Sequence, residues 1–324
     1  MKILIVFDKT IPVAKYGGIQ RIVWWLGKEL VRQGHKVIFL VGEGSSCPFA
    51  EVKIYNPEKP LREQIPDEVD LVHSYIPVME ELNKPYLVHM ESNTKKPEYD
   101  INTVFVSRNH AERHHATCYV HNGLDPEDYG RPTFKKKNYL HFLGKAAWRV
   151  KNVKGAIEVA QKSGNKLHVI GGSRVNFHMG FRFTIDPNMR FHGMIGGEKK
   201  NKVMQESKGL LFPVIWHEPF GIAITESMYF GCPVFATPYG SIPEIVDKES
   251  GFLTANKEEL INYLKDPADF NYQGIHERVM EYFSITPMAN SFLKLYEKIM
   301  NGETLNASKP YFEKDSEPKF LPFA

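Results

Sequence analysis

The chain has 324 residues, 42% of them hydrophobic and 24% charged, with a formal net charge of +3. That length suits two domains, because a single core rarely grows beyond about 250–300 residues; the composition excludes a disordered chain, and so small a net charge offers no basic face for nucleic acid. The three cysteines, Cys47, Cys118 and Cys232, are odd in number and form no C-x-x-C pair, which excludes a disulfide framework or a cysteine zinc site and implies a reduced compartment.

ILIVF near the N-terminus is a short apolar run of the kind a parallel strand covered on both faces requires. It is too short for a signal segment, and no stretch approaches the roughly 18 apolar residues of a membrane span. The expected location is therefore cytoplasmic, at most peripheral at the cytoplasmic membrane face. A loop through Lys15, Tyr16, Gly17 and Gly18 follows. Ile19, Ile22, Val23, Leu26 and Leu30 then recur at helical spacing until Gly34, and KVIFLV gives a second strand. Further apolar runs stand at LVHS, YLVHM, TVFVS and CYVH. HNGLDPEDYGRP and FKKKN, rich in turn formers and charge, read as a linker. Strand and helix then alternate again: NYLHFLG, a helix from about Val153 to Lys162, KLHVIGG, MRFHGMI, a helix near Glu198 to Ser207, GLLFPV, a helix after Phe220, and CPVFAT. Met288, Phe292, Leu295 and Ile299 mark a final amphipathic helix.

This alternation predicts an α/β protein of two Rossmann-like doubly wound domains facing across a cleft. The first is expected over residues 1–134 and the second over 139–285. Residues 286–300 are expected to form a C-terminal helix that packs back on the first domain, and 301–324 an extended or partly disordered tail with Tyr311, Phe312 or Phe320 as candidate pins. The KKK of Lys135 to Lys137 and the EKKNK of Glu198 to Lys202 read as solvated surface. His110, His114 and His115 read as a polar helix face, because a metal-ligand spacing is missing.

WHEPFGIAITES, Trp216 to Ser227, carries Glu218 and Glu226 in otherwise apolar sequence, and acidic groups are rarely buried without partners. The segment is a loop at the carboxyl end of a parallel strand running into a helix, where open α/β folds place ligands. Pro219 keeps Glu218 out of the helix, Gly221 lets backbone approach a ligand, and the helix start attracts anions. Eight helical residues rise about 12 Å, too far for the roughly 5–5.5 Å or 6.5–9.5 Å of a glycoside-hydrolase dyad. Two carboxylates so placed suit the ends of one long ligand with hydroxyls at both ends and an anion between them, the layout of a nucleotide sugar.

HEPFGIAITESMYFGCPVFATPYGSIPEIV resembles the E-x7-E region of the retaining glycosyltransferases of glycosyltransferase family four, which have the GT-B fold. GGIQRIVWWLGKELVRQGHKV, HNGLDPEDY, GKAAWRVKNVKGAIEVA and FHGMIGGEKKNKVMQESKGLLFPV fall in the family's order, so the resemblance spans roughly residues 1–300. It implies that Glu226 holds the ribose hydroxyls and Glu218 a donor-sugar hydroxyl, with Phe220, Gly221 and Ile222 at the sugar and phosphates. Met194 and its neighbours would meet the base, Gly17 and Gly18 the diphosphate, and His89 the sugar and acceptor. The family's basic pair maps to Lys145 and Lys151. Lys145 replaces the usual Arg and loses its bidentate fork, and Lys154 competes with Lys151 for the second place.

The implied reaction is metal-independent and needs no cofactor: retaining transfer of a hexosyl or N-acetylhexosaminyl group from a nucleotide sugar, a UDP-sugar by family frequency, to a hydroxyl of a glycan or lipid-linked acceptor. Peripheral membrane contact through Arg108 to His115 and Lys95-Lys96 would suit a lipid-linked acceptor. A subunit that binds nucleotide sugar without turning it over, and an epimerase or phosphorylase of the same fold, remain as alternatives. KYGGIQR lacks the G-x-G-x-x-G of a nicotinamide oxidoreductase, and a solute-binding protein would carry an export segment.

Overall fold

The computed structural model describes residues 1–13, 17–177, 181–313 and 318–324. Lys15 and Tyr16 of the expected loop lie outside the described residues. The chain forms two compact units, the first from Met1–Val13, Gly17–Asp125 and the stretch beginning at Phe283, the second from Pro126–Tyr282 and the last residues.

In the first unit β1 (Lys2–Val6), α1 (Gly18–Arg32), β2 (Lys36–Val41), β3 (Glu51–Ile54), β4 (Leu71–Ser74), β5 (Tyr86–Met90), β6 (Thr103–Phe105) and α2 (Arg108–Glu112) follow in order. Six parallel strands lie side by side as β3-β2-β1-β4-β5-β6. Leu4, Val6, Ile38, Leu40 and Val72 fill one face of this sheet. CYVH is not a strand: Tyr119 makes a single bridge to Phe105. β3 has half-exposed, partly charged residues at a sheet edge and left no apolar run to find.

The second unit contains β7 (Leu140–Leu143), α3 (Val153–Lys162), β8 (Leu167–Ile170), β9 (Val175–Asn176), β10 (Arg182–Phe183), β11 (Met189–Phe191), α4 (Gly197–Gln205), β12 (Leu210–Phe212), α5 (Ile222–Tyr229), β13 (Val234–Ala236), α6 (Ile242–Ile245), β14 (Gly251–Leu253), α7 (Lys257–Lys265) and α8 (Tyr272–Tyr282). Its sheet runs β11-β8-β7-β12-β13-β14, again all parallel, with β9 and β10 forming a separate antiparallel ribbon. Both sheets thus have the doubly wound order 3-2-1-4-5-6 once the ribbon is set aside. The order reverses between β1 and β4 in one and between β7 and β12 in the other, and such switch points are where this architecture binds ligands.

After α8 the chain returns to the first unit as α9 (Ile285–Met300), which packs on α1. Beyond it the described residues of the tail form no helix or strand, yet they are pinned. Asn306 is buried, its amide donating to the Ile101 and Thr103 carbonyls. Phe312 is buried, and Tyr311 stacks on His115 at 4.1 Å. Phe320 lies under the Arg149 guanidinium of the second unit.

Three readings of surface are corrected. His110 and His114 are fully buried, packed 5.0 and 4.8 Å from Phe105, so they belong to an aromatic core and not to a polar helix face. The Lys136 ammonium donates to the Phe230 and Gln205 carbonyls just beyond and at the ends of α5 and α4, where a cation suits the helix dipole. Lys200 is 4% exposed.

Burial also sets an acid limit on stability. It lowers the pKa of His73 and His141 to about 3 and those of His89 and His110 well below the usual value. Each is neutral when folded and must charge when unfolded, so its contribution is present above about pH 6.5 and lost as pH falls toward the folded value. Glu91 opposes them: burial raises its pKa to about 7, so its contribution is present below about pH 4.5 and lost as pH rises through 7. Four histidines outweigh one carboxyl. Urea titrations should show stability falling by on the order of 5 kcal/mol between pH 7 and pH 5. A flat profile over that range would mean these rings are hydrated in solution.

Candidate functional site

The switch point of the second unit is built from two loops. The loop after β7 carries Lys145 and Lys151, and the loop after β12 carries Trp216, Glu218 and Phe220. Strand order makes β7 and β12 neighbours, so these loops leave the sheet side by side.

Hydrogen bonds then lace them together. The Ile215 N–H donates to the Val150 carbonyl at 2.9 Å. Asn152, left-handed at φ 51°, caps α3 by accepting from the Gly155 N–H, while its amide donates 2.9 Å to the Pro213 carbonyl. A third contact completes the join: the Lys151 ammonium donates to Glu218 Oε2 at 2.6 Å. Trp216 Nε1 donates to the same oxygen at 2.9 Å. The ammonium also lies 5.0 Å from the Trp216 ring and 5.2 Å from Phe212. Glu218 is therefore a buried carboxylate held by one cation and one indole. Lys145 is exposed, its ammonium 5.4 Å from the Trp148 ring. Lys154 is exposed on α3, away from these contacts.

The backbone of Glu218 is fixed by the loop ahead of α6. Its carbonyl accepts from the Ser241 N–H, and Ser241 Oγ donates to the Phe220 carbonyl at 2.7 Å. Gly240, at φ +67°, passes so near that a Cβ there would lie 2.2 Å from the Glu218 oxygen. Only glycine fits this position. Gly221, at φ +85°, precedes α5, and no side chain caps that helix. An uncapped helix start of this kind favours an anion.

Glu226 sits further along α5 and is also buried. Its Oε1 accepts from the Lys200 ammonium at 2.5 Å and from the Tyr129 hydroxyl at 2.7 Å. Sequence reasoning missed both partners, together with Trp216. Lys200 lies in a run of charge, and Tyr129 in a stretch of turn formers. Met194 is 45% exposed beyond β11, in a loop bonded to the end of β8 through Gly193 and Gly172.

The other expected residues belong to the first unit. Gly17 and Gly18 stand at the start of α1, which no side chain caps. His89 ends β5 and is 1% exposed, enclosed by the rings of His73, Tyr75 and Phe292. Its Nδ1 is 3.2 Å from His73 Nε2, and Nε2 lies 3.5 Å from Glu91 Oε1. A cavity of about 840 Å³ opens beyond the carboxyl ends of β1 to β4, lined by Asp8, Tyr55, Asn56, Ile76 and Lys96 among others. Among the described residues no group of three or more His, Cys, Asp or Glu side chains could hold a metal ion, and no helix is long and apolar enough to cross a membrane.

Two doubly wound units, a terminal helix returned to the first, and a charged switch point in the second define the GT-B fold. The chain superposes over 94% of its length on 99% of a glycosyltransferase involved in avilamycin A biosynthesis, with a TM-score of 0.74 at 19% identity. It is similar in the same way to a glycosyltransferase from Rickettsia africae (TM-score 0.71, 15% identity, 93% of this chain and 99% of that one). It also resembles Anabaena HepE, solved in complex with UDP-glucose (TM-score 0.66, 15% identity, 92% and 99%). Residues 127–268, all within the second unit, match the family described as glycosyl transferases group 1. An uncharacterised 41.2 kDa protein in the cps region of Klebsiella pneumoniae is 24% identical over 148 residues, 44% of this chain and 40% of that protein.

The lacing of the two loops can be tested without a ligand. Asn152→Ala removes a helix cap and the bond to Pro213 and places alanine at positive φ, so it should cost about 2–3 kcal/mol of stability in the second unit. Hydrogen exchange should speed up at Ile215 as well as in the first turn of α3. Faster exchange in α3 alone would show that Asn152 does not join the loops.

Proposed function

We propose that the chain is a retaining glycosyltransferase that moves a hexosyl or N-acetylhexosaminyl group from a nucleotide sugar, a uridine diphosphate sugar in preference, to a hydroxyl of a glycan or lipid-linked acceptor. The observation that carries this reading is the pair Lys151–Glu218 at the switch point of the second unit. A cation and a buried carboxylate in the loop that leads into the uncapped start of α5 suit a sugar diphosphate.

In this reading Glu218 accepts from a hydroxyl of the donor sugar, and the Phe220, Gly221 and Ile222 backbone meets the sugar and phosphates. Glu226 accepts from the ribose diol, and the loop at Met194 carries the base. An ammonium has three donors, so the Lys151 bond to Glu218 leaves further N–H groups for the diphosphate. Negative charge grows on that leaving group as the glycosidic bond breaks. Preorganised donors at such a position are each worth about 3–4 kcal/mol in a dry site, against roughly 0.3–1 kcal/mol for a helix end. The acceptor hydroxyl attacks the same face that the diphosphate leaves, and a phosphate oxygen takes its proton. On the first unit, the cavity beyond β1 to β4 suits the acceptor.

The HepE complex with UDP-glucose supports the nucleotide class. The similarity to a protein of a cps region supports polysaccharide synthesis as the setting. The test is a thermal-shift panel of UDP, GDP, ADP and their sugar conjugates with EDTA present, followed by radiolabel transfer from the stabilising donor to glycan and lipid-linked acceptors. UDP and its conjugates should raise the melting temperature, Glu226→Ala should abolish the shift, and Lys151→Met should lower kcat at least a hundredfold. Stabilisation without transfer to any acceptor would leave a nucleotide-sugar-binding subunit; no stabilisation by any nucleotide would sink the assignment.

A further inference from the structure

The segment GEKKNKVMQ of α4 buries only Lys200 and Met204, one turn apart. An apolar residue would be the ordinary occupant of such a position. Lys200 instead is 4% exposed, with its ammonium on Glu226 Oε1 and 5.4 Å from the centre of the Tyr129 ring. Tyr129 is 6% exposed and donates its hydroxyl to that same oxygen. Three elements thus converge on one carboxylate oxygen: α4, α5 and the segment after the junction at Pro126.

Buried ion pairs are poor stabilisers, since well-packed apolar residues of similar volume often stabilise a fold equally well or better. What such a pair does supply is direction. With Oε1 held by two donors of fixed origin, the plane of the carboxylate and the position of Oε2 are fixed as well. We propose that Lys200 and Tyr129 are positioning residues that lock the Glu226 carboxylate for a vicinal diol, and so set the selectivity of the site for a ribonucleoside over a 2′-deoxyribonucleoside diphosphate. This rests on the reading of Glu226 as the ribose ligand. A site oriented to accept from a hydroxyl binds the analogue lacking it more weakly, because that hydrogen bond is not made.

The experiment is calorimetric titration with UDP and 2′-deoxy-UDP, with the ADP and GDP pairs in parallel, on the wild-type chain, Tyr129→Phe, Lys200→Met and Lys200→Arg. Tyr129→Phe keeps the ring that packs 5.3 Å from Tyr229, so it guards against loss of fold in the lysine variants. The wild type should prefer the ribonucleotide at least tenfold. Tyr129→Phe and Lys200→Met should bring that ratio toward one by weakening the ribonucleotide alone, with Lys200→Arg in between. In turnover the change should appear in donor KM and leave kcat within about twofold, as expected when uniform binding is lost. Ribo- and deoxynucleotide affinities falling together in Tyr129→Phe, or an unaltered ratio in both variants, would overturn the positioning role. A wild-type chain that binds both sugars equally would instead overturn the ribose role of Glu226 itself.

Discussion

A carboxylate taken out of water has to be matched by charge or hydrogen bonds, and the second unit is organised around meeting that requirement at Glu218. The match is local in space and distant in sequence, since Lys151 and Glu218 are 67 positions apart. Only the parallel order that sets β7 beside β12 brings their loops together, and only the bonds from Ile215 and Asn152 hold the loops at the distance an ammonium can span. Gly240 then fixes the backbone that presents the carboxylate. Remove the strand order, the lacing or the glycine, and the ion pair has no geometry. The pair is a consequence of the fold before it is an instrument of chemistry.

The same rule governs Glu226, with a different solution. There the partners come from a neighbouring helix and from a tyrosine near the unit's start, and they close on one oxygen. Neither glutamate is an efficient way to stabilise a fold, because desolvating an ion pair offsets most of its Coulomb energy. Yet losing one partner of such a pair costs about 3–5 kcal/mol, since the other is left buried and charged. Once present, these pairs therefore constrain each other. That combination of low net stability and high mutual dependence is characteristic of groups held for a ligand.

Sequence made the alternation of elements legible because parallel strands covered on both faces must be apolar throughout, and ILIVF, KVIFLV and YLVHM have no other reading. The helix expected from about Val153 to Lys162 is α3 itself, since Asn152 and the apolar spacing mark its start. What sequence hid was direction. EKKNK is a run of charge in which one lysine of three points inward, and nothing in the run distinguishes Lys200 from its neighbours; the distinction arises when α4 is laid against α5. His110 and His114 misled for the converse reason. Two histidines on a short polar helix look like surface until Phe105, Tyr99 and Phe312 are folded over them. Glu218 and Glu226 were visible because carboxylates are out of place in an apolar segment, but their partners come from elsewhere in the chain and carried no such mark.

The two lysines assigned to the diphosphate differ in a way that bears on the missing guanidinium. Lys151 is already largely removed from water and held by Glu218, so its ammonium acts in a medium of low effective dielectric and needs little reorganisation. Lys145 is exposed and rests over Trp148. At 4 Å a unit charge is worth about 1 kcal/mol to a phosphate oxygen in bulk water and about 4 kcal/mol at an effective dielectric of 20. On the proposed reading the contribution of Lys145 would be small while its surroundings are wet and would rise several-fold once a bound donor displaced that water. An arginine there would add a fixed fork that organises the diphosphate before the site is dry; a lysine adds a point charge whose value depends on drying. On the proposed reading the substitution would shift stabilisation of the leaving group from the open site to the occupied one, which is where differential binding of the transition state has to be generated.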